Sequence, residues 1–355
     1  MLAQQKHLAM PGTIVKFSLL LLFITTRAGV TRDTAAAENR ANLSVLTFNI
    51  LQGGSNAANV GFRDQDFGGS RYDEIAAVIR LSKANIVGIQ EDDQSGKLLA
   101  ELGEGWTRIG SVYSTLKLTS VLKSKWLTVV RVATPNGTII VVNCHWRPSK
   151  YGPFLVQDYL RRNGAPNDLA AFEKAILKES DRTSGDRGYR QTLDALRPFI
   201  EADETVVVTG DFNEPSHLDW TNAAAEKGMD RWVNNTTTTP LRFPISWKGS
   251  RLMEKLGLKD AYRTRYPNET NSPGNTWTPP YPEKTPGRRP YSDQVLDRID
   301  MIYFAGKLQL QRAAVIGESK ETSDRVFEGR WPSDHRAVLC VFKIEDRDTI
   351  NRSLK

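Results

Sequence analysis

Polar side chains that could do phosphate chemistry follow a short apolar run in the middle of the chain. Residues 206–213 read Val-Val-Val-Thr-Gly-Asp-Phe-Asn, which places Asp211 and Asn213 two apart at the end of the run. The run predicts a buried strand, and if extended geometry continues, both side chains point to the same side. A carboxylate there can hold a hard cation or take a proton from water, and an amide can hydrogen-bond a phosphoryl oxygen. The competing interpretation is an ordinary Asp-X-Asn turn after a strand.

Further polar residues stand at or near the ends of other apolar runs. They are Asn49, Glu91, His145, Asp300 and the pair Asp334-His335. For any one of them alone, a turn, a cap or a satisfied core histidine is the better interpretation. Of the four histidines in the chain, His145 and His335 fall at such positions. The set as a whole favours one site assembled from several strand ends.

The elements that would position these residues alternate between apolar runs and amphipathic segments. Strands are predicted at 43–50, 86–90, 126–133, 138–144, 206–216, 295–304 and 338–344. Helices are predicted at 72–81, 98–102, 169–178, 189–200 and 251–256. One domain is expected over 43–345, with insertions at about 147–188 and 217–290 and a charged tail at 346–355.

Composition describes an ordinary soluble globular protein. Hydrophobic residues make up 39% and charged residues 25% of the 355, which is ample for one large core. The formal net charge of +7 leans mildly toward anionic partners. Two cysteines, Cys144 and Cys340, exclude a disulfide scaffold, and buried free thiols are favoured slightly over a bridge between them. The sequence does not predict a zinc site, since no cluster of cysteines or histidines has the spacing of zinc ligands.

Residues 1–28 have the pattern of a secretory signal peptide. Lys16 precedes an unbroken apolar run at 17–24, small residues follow, and the segment contains no acid. The run is too short to span a bilayer comfortably, so an uncleaved anchor is the weaker alternative. N-X-Ser/Thr acceptors agree with export; they are Asn42, Asn136, Asn234, Asn235, Asn268 and Asn351. We therefore expect a secreted glycoprotein with no later membrane span.

The ordered set of polar residues resembles the endonuclease/exonuclease/phosphatase superfamily, whose fold is that of pancreatic deoxyribonucleases. The matching segments are Thr47-Phe48-Asn49, Ile89-Gln90-Glu91, Asn143-Cys144-His145, Gly210-Asp211-Phe212-Asn213, Arg298-Ile299-Asp300 and Ser333-Asp334-His335. They occur in the family's order and cover about residues 43–343. The resemblance implies an α/β (α+β) fold, a four-layer α-β-β-α sandwich with two packed mixed β-sheets and the site at one rim.

The resemblance also implies a divalent cation in the site. Glu91 would bind the metal, helped by Asn49 and Asp334. Carboxylates and an amide are hard oxygen ligands, so the expected ion is Mg²⁺, with Mn²⁺ as a substitute.

The remaining residues would act on the phosphate and the attacking water. Asp211 would orient or deprotonate the water, and Asn213 would hold a phosphoryl oxygen. His335 would bind the phosphate opposite the metal, with Asp300 fixing its tautomer. His145 matches the histidine of the nuclease, sphingomyelinase and phosphatase branches.

One departure from the family lies between Glu91 and His145. Relatives place two further strands there, joined by a Ser-Arg-aromatic-Pro turn that this sequence lacks. Two interpretations stay open: the core is short by part of a sheet, or the sequence comes from a truncated gene model or splice form.

The preferred function is a secreted Mg²⁺-dependent phosphodiesterase, with a nuclease slightly favoured. The alternatives are a sphingomyelinase-like phospholipase C, a phosphomonoesterase and, from a different class, a non-catalytic binding module with a degenerate fold. Expected partners are a phosphate-ester substrate, either nucleic acid or a phospholipid headgroup, and no stable protein partner, so that the protein is expected to be a monomer.

Overall fold

Two stacked β-sheets with helices on their outer faces form the body of the computed structural model. It describes residues 42–54, 70–92, 96–181, 188–234, 239–281 and 289–345, all within one compact unit, Arg40–Lys355. The predicted signal peptide and tail lie outside the described residues. Within the described part of the chain, no helix has the length and apolar character needed to cross a membrane.

The first sheet has seven strands in the order β12-β11-β13-β1-β2-β4-β3. Its strands are β1 (Asn42–Asn49), β2 (Ile86–Gln90), β3 (Thr107–Ile109), β4 (Val112–Ser114), β11 (Leu308–Gly317), β12 (Arg325–Val326) and β13 (Ala337–Ile344). β1 runs parallel to β2 and antiparallel to β13, so the sheet is mixed.

The second sheet has six strands in the order β5-β6-β7-β8-β10-β9. Its strands are β5 (Leu118–Lys123), β6 (Leu127–Thr134), β7 (Gly137–His145), β8 (Val206–Asp211), β9 (Lys259–Asp260) and β10 (Asp300–Ala305). β7 runs parallel to β8, and β8 runs antiparallel to β10, so this sheet is mixed as well.

The helices are short, and their apolar faces pack on the sheets or on one another. They are α1 (Tyr72–Ser82), α2 (Lys97–Leu102), α3 (Gly152–Asn163), α4 (Leu169–Glu179), α5 (Tyr189–Glu201), α6 (Asn222–Glu226), α7 (Lys248–Lys255) and α8 (Ala261–Arg265). Ile75 and Ile79 of α1 pack on the outside of the first sheet, and Leu196 of α5 packs on the outside of the second. These contacts give the predicted four layers.

The central core lies between the sheets and consists largely of β-branched residues. Val45 and Val338 from the first sheet pack with Val130, Val141 and Val207 from the second. Their side chains alternate inward along the strands, as expected for half-buried sheets that share one core. The predicted fold class is confirmed.

Several local predictions were wrong in ways that the structure explains. Regular pairing of the predicted 295–304 strand begins only at Asp300, because Val295 and Asp297 make single bridges to other loops. The predicted 251–256 helix begins at Lys248, where the carboxylate of Glu214 accepts the Gly249 amide at 2.6 Å. The strand predicted at 206–216 is shorter in the structure, where β8 ends at Asp211.

The segment between β2 and β7 forms α2 and the strands β3, β4, β5 and β6. β3 and β4 are only three residues long and lie at the edge of the first sheet, and β5 lies at the edge of the second. The sequence also missed α3 and β11. The cysteines Cys144 and Cys340 are buried free thiols, as favoured.

Candidate active site

Strand register brings the predicted site residues to one rim of the sandwich. In the second sheet, Asp211 ends β8 directly opposite His145 at the end of β7 and Asp300 at the start of β10. In the first sheet, Asn49 ends β1 level with the last residue of β2, and Glu91 follows. Side chains that are far apart in sequence therefore meet because neighbouring strands end at the same level.

The loop that carries Asp334 and His335 is attached to the end of β1. The Ser333 hydroxyl donates to the Asn49 carbonyl at 2.6 Å and accepts the His335 amide at 3.1 Å. Both Asp334 and His335 are buried. All eight predicted site residues thus lie at this rim.

Asn49 links the two sheets across the site. Its Nδ2 donates to Glu91 Oε1 at 3.2 Å and to Asp211 Oδ2 at 3.0 Å. Its Oδ1 accepts the Leu51 amide at 3.0 Å, while Glu91 Oε2 accepts the Gln52 amide at 2.9 Å. The amide therefore presents hydrogens to the carboxylates in this structure, and coordination of a cation by Asn49 would require the amide to turn over.

Asp211 and Asn213 form a tight turn at the end of β8. Asn213 has a left-handed backbone with φ 47°, so the extended geometry that would place both on one side does not continue. Instead the Asn213 amide donates to Asp211 Oδ1 at 2.9 Å, and its Nδ2 donates to Asp211 Oδ2 at 3.1 Å. The Asx-turn interpretation is correct, and this turn is what brings the two side chains together.

The Asp211 carboxylate is buried among hydrogen-bond donors and histidines. Burial alone would raise its pKa, but His335 and His145 outweigh that effect and lower the pKa to about 2. His145 Nε2 lies 3.4 Å from Asp211 Oδ2. Burial lowers the pKa of His145, and the neighbouring Asp211 outweighs it, so the net direction is upward. Asp211 is therefore held as a carboxylate.

His335 forms a hydrogen-bonded pair with Asp300. Its Nδ1 lies 2.8 Å from Asp300 Oδ2, and its Nε2 lies 3.9 Å from both Asp211 Oδ2 and Asp334 Oδ1. Burial lowers the pKa of His335, but the Asp300, Asp211 and Asp334 carboxylates outweigh it and raise the pKa to about 10. The imidazole is thus held as a cation whose Nδ1 proton is oriented by Asp300.

The oxygen donors at the rim suit a divalent cation. Glu91 is only half-buried, and its carboxylate lies at the mouth of the site beside Asn49. A second grouping, Asp211, Asp300 and His335, offers ligand atoms within 4.8 Å of one another. An ion in that second position would have to displace the His335–Asp300 hydrogen bond. An ion at Glu91 would instead replace the contact between the Asn49 amide and Glu91 Oε1.

Beneath the site, a polar network that sequence reasoning missed joins the two sheets. Gln90 Nε2 donates to Asn143 Oδ1 at 2.6 Å, and the Thr209 hydroxyl donates to the same oxygen at 2.9 Å. Asn143 Nδ2 in turn donates to the Ile89 carbonyl at 2.8 Å. The sequence did contain a signal for this network, because Gln90 and Asn143 are amide residues within otherwise apolar strands. Gln90 also directly precedes Glu91.

A cavity of about 350 Å³ opens onto the rim and has an aromatic wall. Glu91, Asp211, Asn213 and His335 line one side of it. The aromatic wall consists of Tyr151, Phe154 and Trp277, which come from the two predicted insertions.

Packing is the ordinary role of tryptophans, and it accounts for three of the four in the 217–290 region. Trp220, Trp232 and Trp247 are buried in one apolar cluster, whereas Trp277 lines the cavity.

Comparisons with known proteins agree with this architecture. Residues 46–335 match the sequence model of the Endonuclease/Exonuclease/phosphatase family. A Caenorhabditis elegans protein called uncharacterized protein F14F9.5 is 23% identical over 342 residues, which cover 91% of this chain and 98% of that protein.

Two solved structures that are similar to this chain have low sequence identity to it. An endonuclease/exonuclease/phosphatase from Bacteroides vulgatus is 16% identical, with a TM-score of 0.47 over 86% of this chain and 99% of that one. TDP2 from Caenorhabditis elegans is 15% identical, with a TM-score of 0.46 over 90% of this chain and 82% of that one. Because the family match spans most of the sequence, the chain belongs to the Endonuclease/Exonuclease/phosphatase family, whose enzymes hydrolyse phosphoester bonds.

Proposed function

We propose that this protein is a Mg²⁺-dependent phosphodiesterase that hydrolyses its substrate by in-line attack of water. The observation that carries the proposal is the meeting of Glu91, Asp211, Asn213 and His335 in one cavity. A phosphodiester in that cavity would have an acceptor for water, an amide and a cationic imidazole within reach of its phosphorus.

Asp211 orients the attacking water in this proposal. A carboxylate whose pKa is about 2 is a weak base, so it accepts a hydrogen bond from water before it can remove a proton. Asn213 holds a phosphoryl oxygen once its Nδ2 releases one of its present acceptors, the Trp146 carbonyl or Asp211 Oδ2. The His335 cation supplies positive charge where negative charge develops on the oxygens, and His145 lies beside Asp211.

The metal would be held by Glu91, assisted by Asp334 and by Asn49 once its amide has turned over. Such a donor set favours Mg²⁺ or Mn²⁺. The ion would neutralise charge on the phosphate oxygens.

A nuclease is favoured by a second, larger groove beside the catalytic cavity. The groove has a volume of about 1020 Å³ and shares Glu91 with the catalytic cavity. Arg108, Lys123, Lys125 and Trp126 also line it. Cations and an aromatic ring in one groove suit the phosphates and bases of a nucleic-acid strand.

A sphingomyelinase-like phospholipase is the second candidate, because β5 exposes apolar side chains. Val121 and Leu122 are 46% and 43% exposed, and Lys123 and Lys125 follow them. Apolar residues beside cations can bind the surface of an anionic membrane.

We also propose export of the protein. The apolar run at 17–24 and the lack of acids in residues 1–28 support a cleaved leader. Expression of the full chain in a secreting eukaryotic cell should release a protein into the medium whose N-terminus lies between residues 25 and 37. Retention inside the cell with Met1 or Leu2 at the N-terminus would contradict export.

The activity test compares substrates under one set of conditions. Purified protein is incubated with plasmid DNA, RNA, sphingomyelin vesicles, a sugar phosphate and bis(p-nitrophenyl) phosphate, with Mg²⁺ or with EDTA. We expect EDTA-sensitive hydrolysis of the diesters, and fastest hydrolysis of nucleic acid. Hydrolysis of none of these substrates would favour the non-catalytic binding module, and preference for sphingomyelin would favour the second candidate.

Variants tie the activity to the site. Asp211→Asn and His335→Gln should each abolish turnover while the circular dichroism spectrum stays unchanged. His217→Gln is a matched control, since His217 also contacts a carboxylate, Glu254 at 3.1 Å, but lies outside the site. Full activity in either site variant would remove that residue from the mechanism.

A further inference from the structure

We propose that the aromatic wall of the catalytic cavity, with Gln294, binds a nucleobase of the nucleotide whose phosphate is cleaved. This inference rests on the proposed phosphodiesterase function and names the substrate class of the same site. It assigns a binding role to Tyr151, Phe154 and Trp277 from the insertions and to Gln294 just after the second insertion. None of these residues takes part in the hydrolysis itself.

The aromatic wall begins directly beside the catalytic imidazole. The rings of Trp277 and His335 lie 6.3 Å apart, centre to centre. Tyr151 packs edge-on against Trp277 at 5.4 Å, and Phe154 lies 5.7 Å from Trp277. A phosphate held at His335 would therefore have one of its substituents against flat apolar rings.

Gln294 supplies a hydrogen-bond acceptor that no described residue uses. The side chain is 1% exposed and lines the cavity, and its Oε1 has no hydrogen-bond partner among the described residues. The orientation of the amide is fixed, because its Nε2 donates to the Arg289 carbonyl at 3.1 Å and to the Tyr281 hydroxyl. A carbonyl can only accept, so the nitrogen must face Arg289 and the oxygen remains available.

A buried acceptor selects a ligand that can donate. An alkyl chain in this cavity would leave the Gln294 oxygen unpaired, which is costly for a buried polar atom. A nucleobase is flat, stacks on aromatic rings and carries N–H donors at its edge. The volume of about 350 Å³ is in the range of ordinary ligand sites and can hold a base beside a phosphate.

The wall is held rigidly by Asp297, which is fully buried. Its carboxylate accepts the Tyr151 hydroxyl at 2.7 Å, and its backbone exchanges hydrogen bonds of 2.7 and 2.9 Å with Trp277. Two parts of the wall are thus fixed by one residue. A preformed wall reduces the cost of ordering side chains when a ligand binds.

The test uses matched substrates that differ only in a base. Thymidylyl-thymidine is compared with two analogues in which one or the other nucleoside is replaced by a tetrahydrofuran abasic unit, so that charge and backbone are the same. With Mg²⁺, we expect loss of one of the bases to lower kcat/KM about tenfold, the effect of losing one stacked base. Phe154→Ala and Gln294→Met should each remove this preference.

Tyr281→Phe is the control for disturbance of the Gln294 network. It removes the hydroxyl that contacts Gln294 Nε2 but leaves Gln294 and its acceptor Oε1, which is unpaired among the described residues, unchanged, so the base preference should persist. If it falls as in Gln294→Met, the effect arises from the network and the acceptor role is overturned. Equal cleavage of all three substrates by wild-type protein would overturn the subsite altogether.

A binding measurement separates this inference from the hydrolase proposal. Titration calorimetry compares thymidine 5′-phosphate with deoxyribose 5-phosphate, and needs no turnover. Tighter binding of the nucleotide that is lost in Phe154→Ala supports the subsite even if no diester is hydrolysed. Equal binding of the two ligands contradicts the subsite even if diesters are hydrolysed.

Discussion

Replacing Asp300 with asparagine removes the carboxylate that lies 2.8 Å from Nδ1 of His335. At an effective dielectric constant of about 20, opposite unit charges at that separation attract by about 6 kcal/mol. This energy corresponds to a change of about 4 in the pKa of His335. This change is an upper bound for the fall in the pKa of His335. Asp211 and Asp334 remain in the variant and continue to favour the protonated imidazole. We expect the pKa of His335 to fall from about 10 back toward the range of an ordinary histidine.

Histidine NMR measures this change directly in metal-free protein. The chain has only four histidines, so each ring can be assigned from single His→Gln variants. In wild type, His335 should not titrate between about pH 6 and 9, whereas in Asp300→Asn it should. His217 is the internal control, since burial lowers its pKa and the substitution lies elsewhere.

The same substitution should slow hydrolysis. Loss of one preorganised charged donor costs about a hundredfold in kcat, and the loss should grow with pH as His335 deprotonates. A wild-type His335 that titrates near neutrality would refute the reasoning, and so would an Asp300→Asn protein whose His335 stays protonated throughout.

Three further predictions concern stability. The pKa of His335 is raised from 6.5 to about 10, so its contribution to the free energy of unfolding is present below pH 6.5 and is lost as pH rises through about 10. The difference in Tm between wild type and His335→Gln, measured in EDTA, should therefore shrink between pH 6.5 and about 10. A difference that stays constant over this range would contradict the prediction. Gly88→Ala should lower the free energy of unfolding by about 1–3 kcal/mol in urea melts, because the added methyl group would overlap the Thr209 side chain. Arg71→Lys should cost about 2 kcal/mol by the same assay, because the buried guanidinium donates to carbonyls of both the β1 loop and Pro332, and an unchanged midpoint would show that those bonds contribute little.

The central strands could be predicted because their composition leaves little choice. Residues 206–208 are Val-Val-Val and are followed by Thr209, Gly210 and Asp211, so a buried strand with a polar tip is the natural interpretation. β11 was missed although Leu308-Gln309-Leu310-Gln311 alternates apolar and polar residues, as a half-buried strand does, and Gly306 marks a turn before it. α3 was missed because Gly152-Pro153 is typical of a turn, although proline is well tolerated in the first turn of a helix.

The identity of the site residues could be predicted, but their geometry could not. That His145 and Asp300 both lie opposite Asp211 depends on strand register, which a one-residue shift would reverse. The aromatic wall was beyond prediction for a different reason. Trp277 lies in a long insertion without periodicity, and only the folded insertion brings it to the rim.

Anomalous diffraction from crystals soaked in Mn²⁺ would locate the cation that the account requires. We predict one strong peak about 2.1 Å from a Glu91 oxygen, on the side of Asp334. A peak coordinated instead by Asp211, Asp300 and His335, or no peak at this rim, would contradict the proposed metal site and the division of roles built on it.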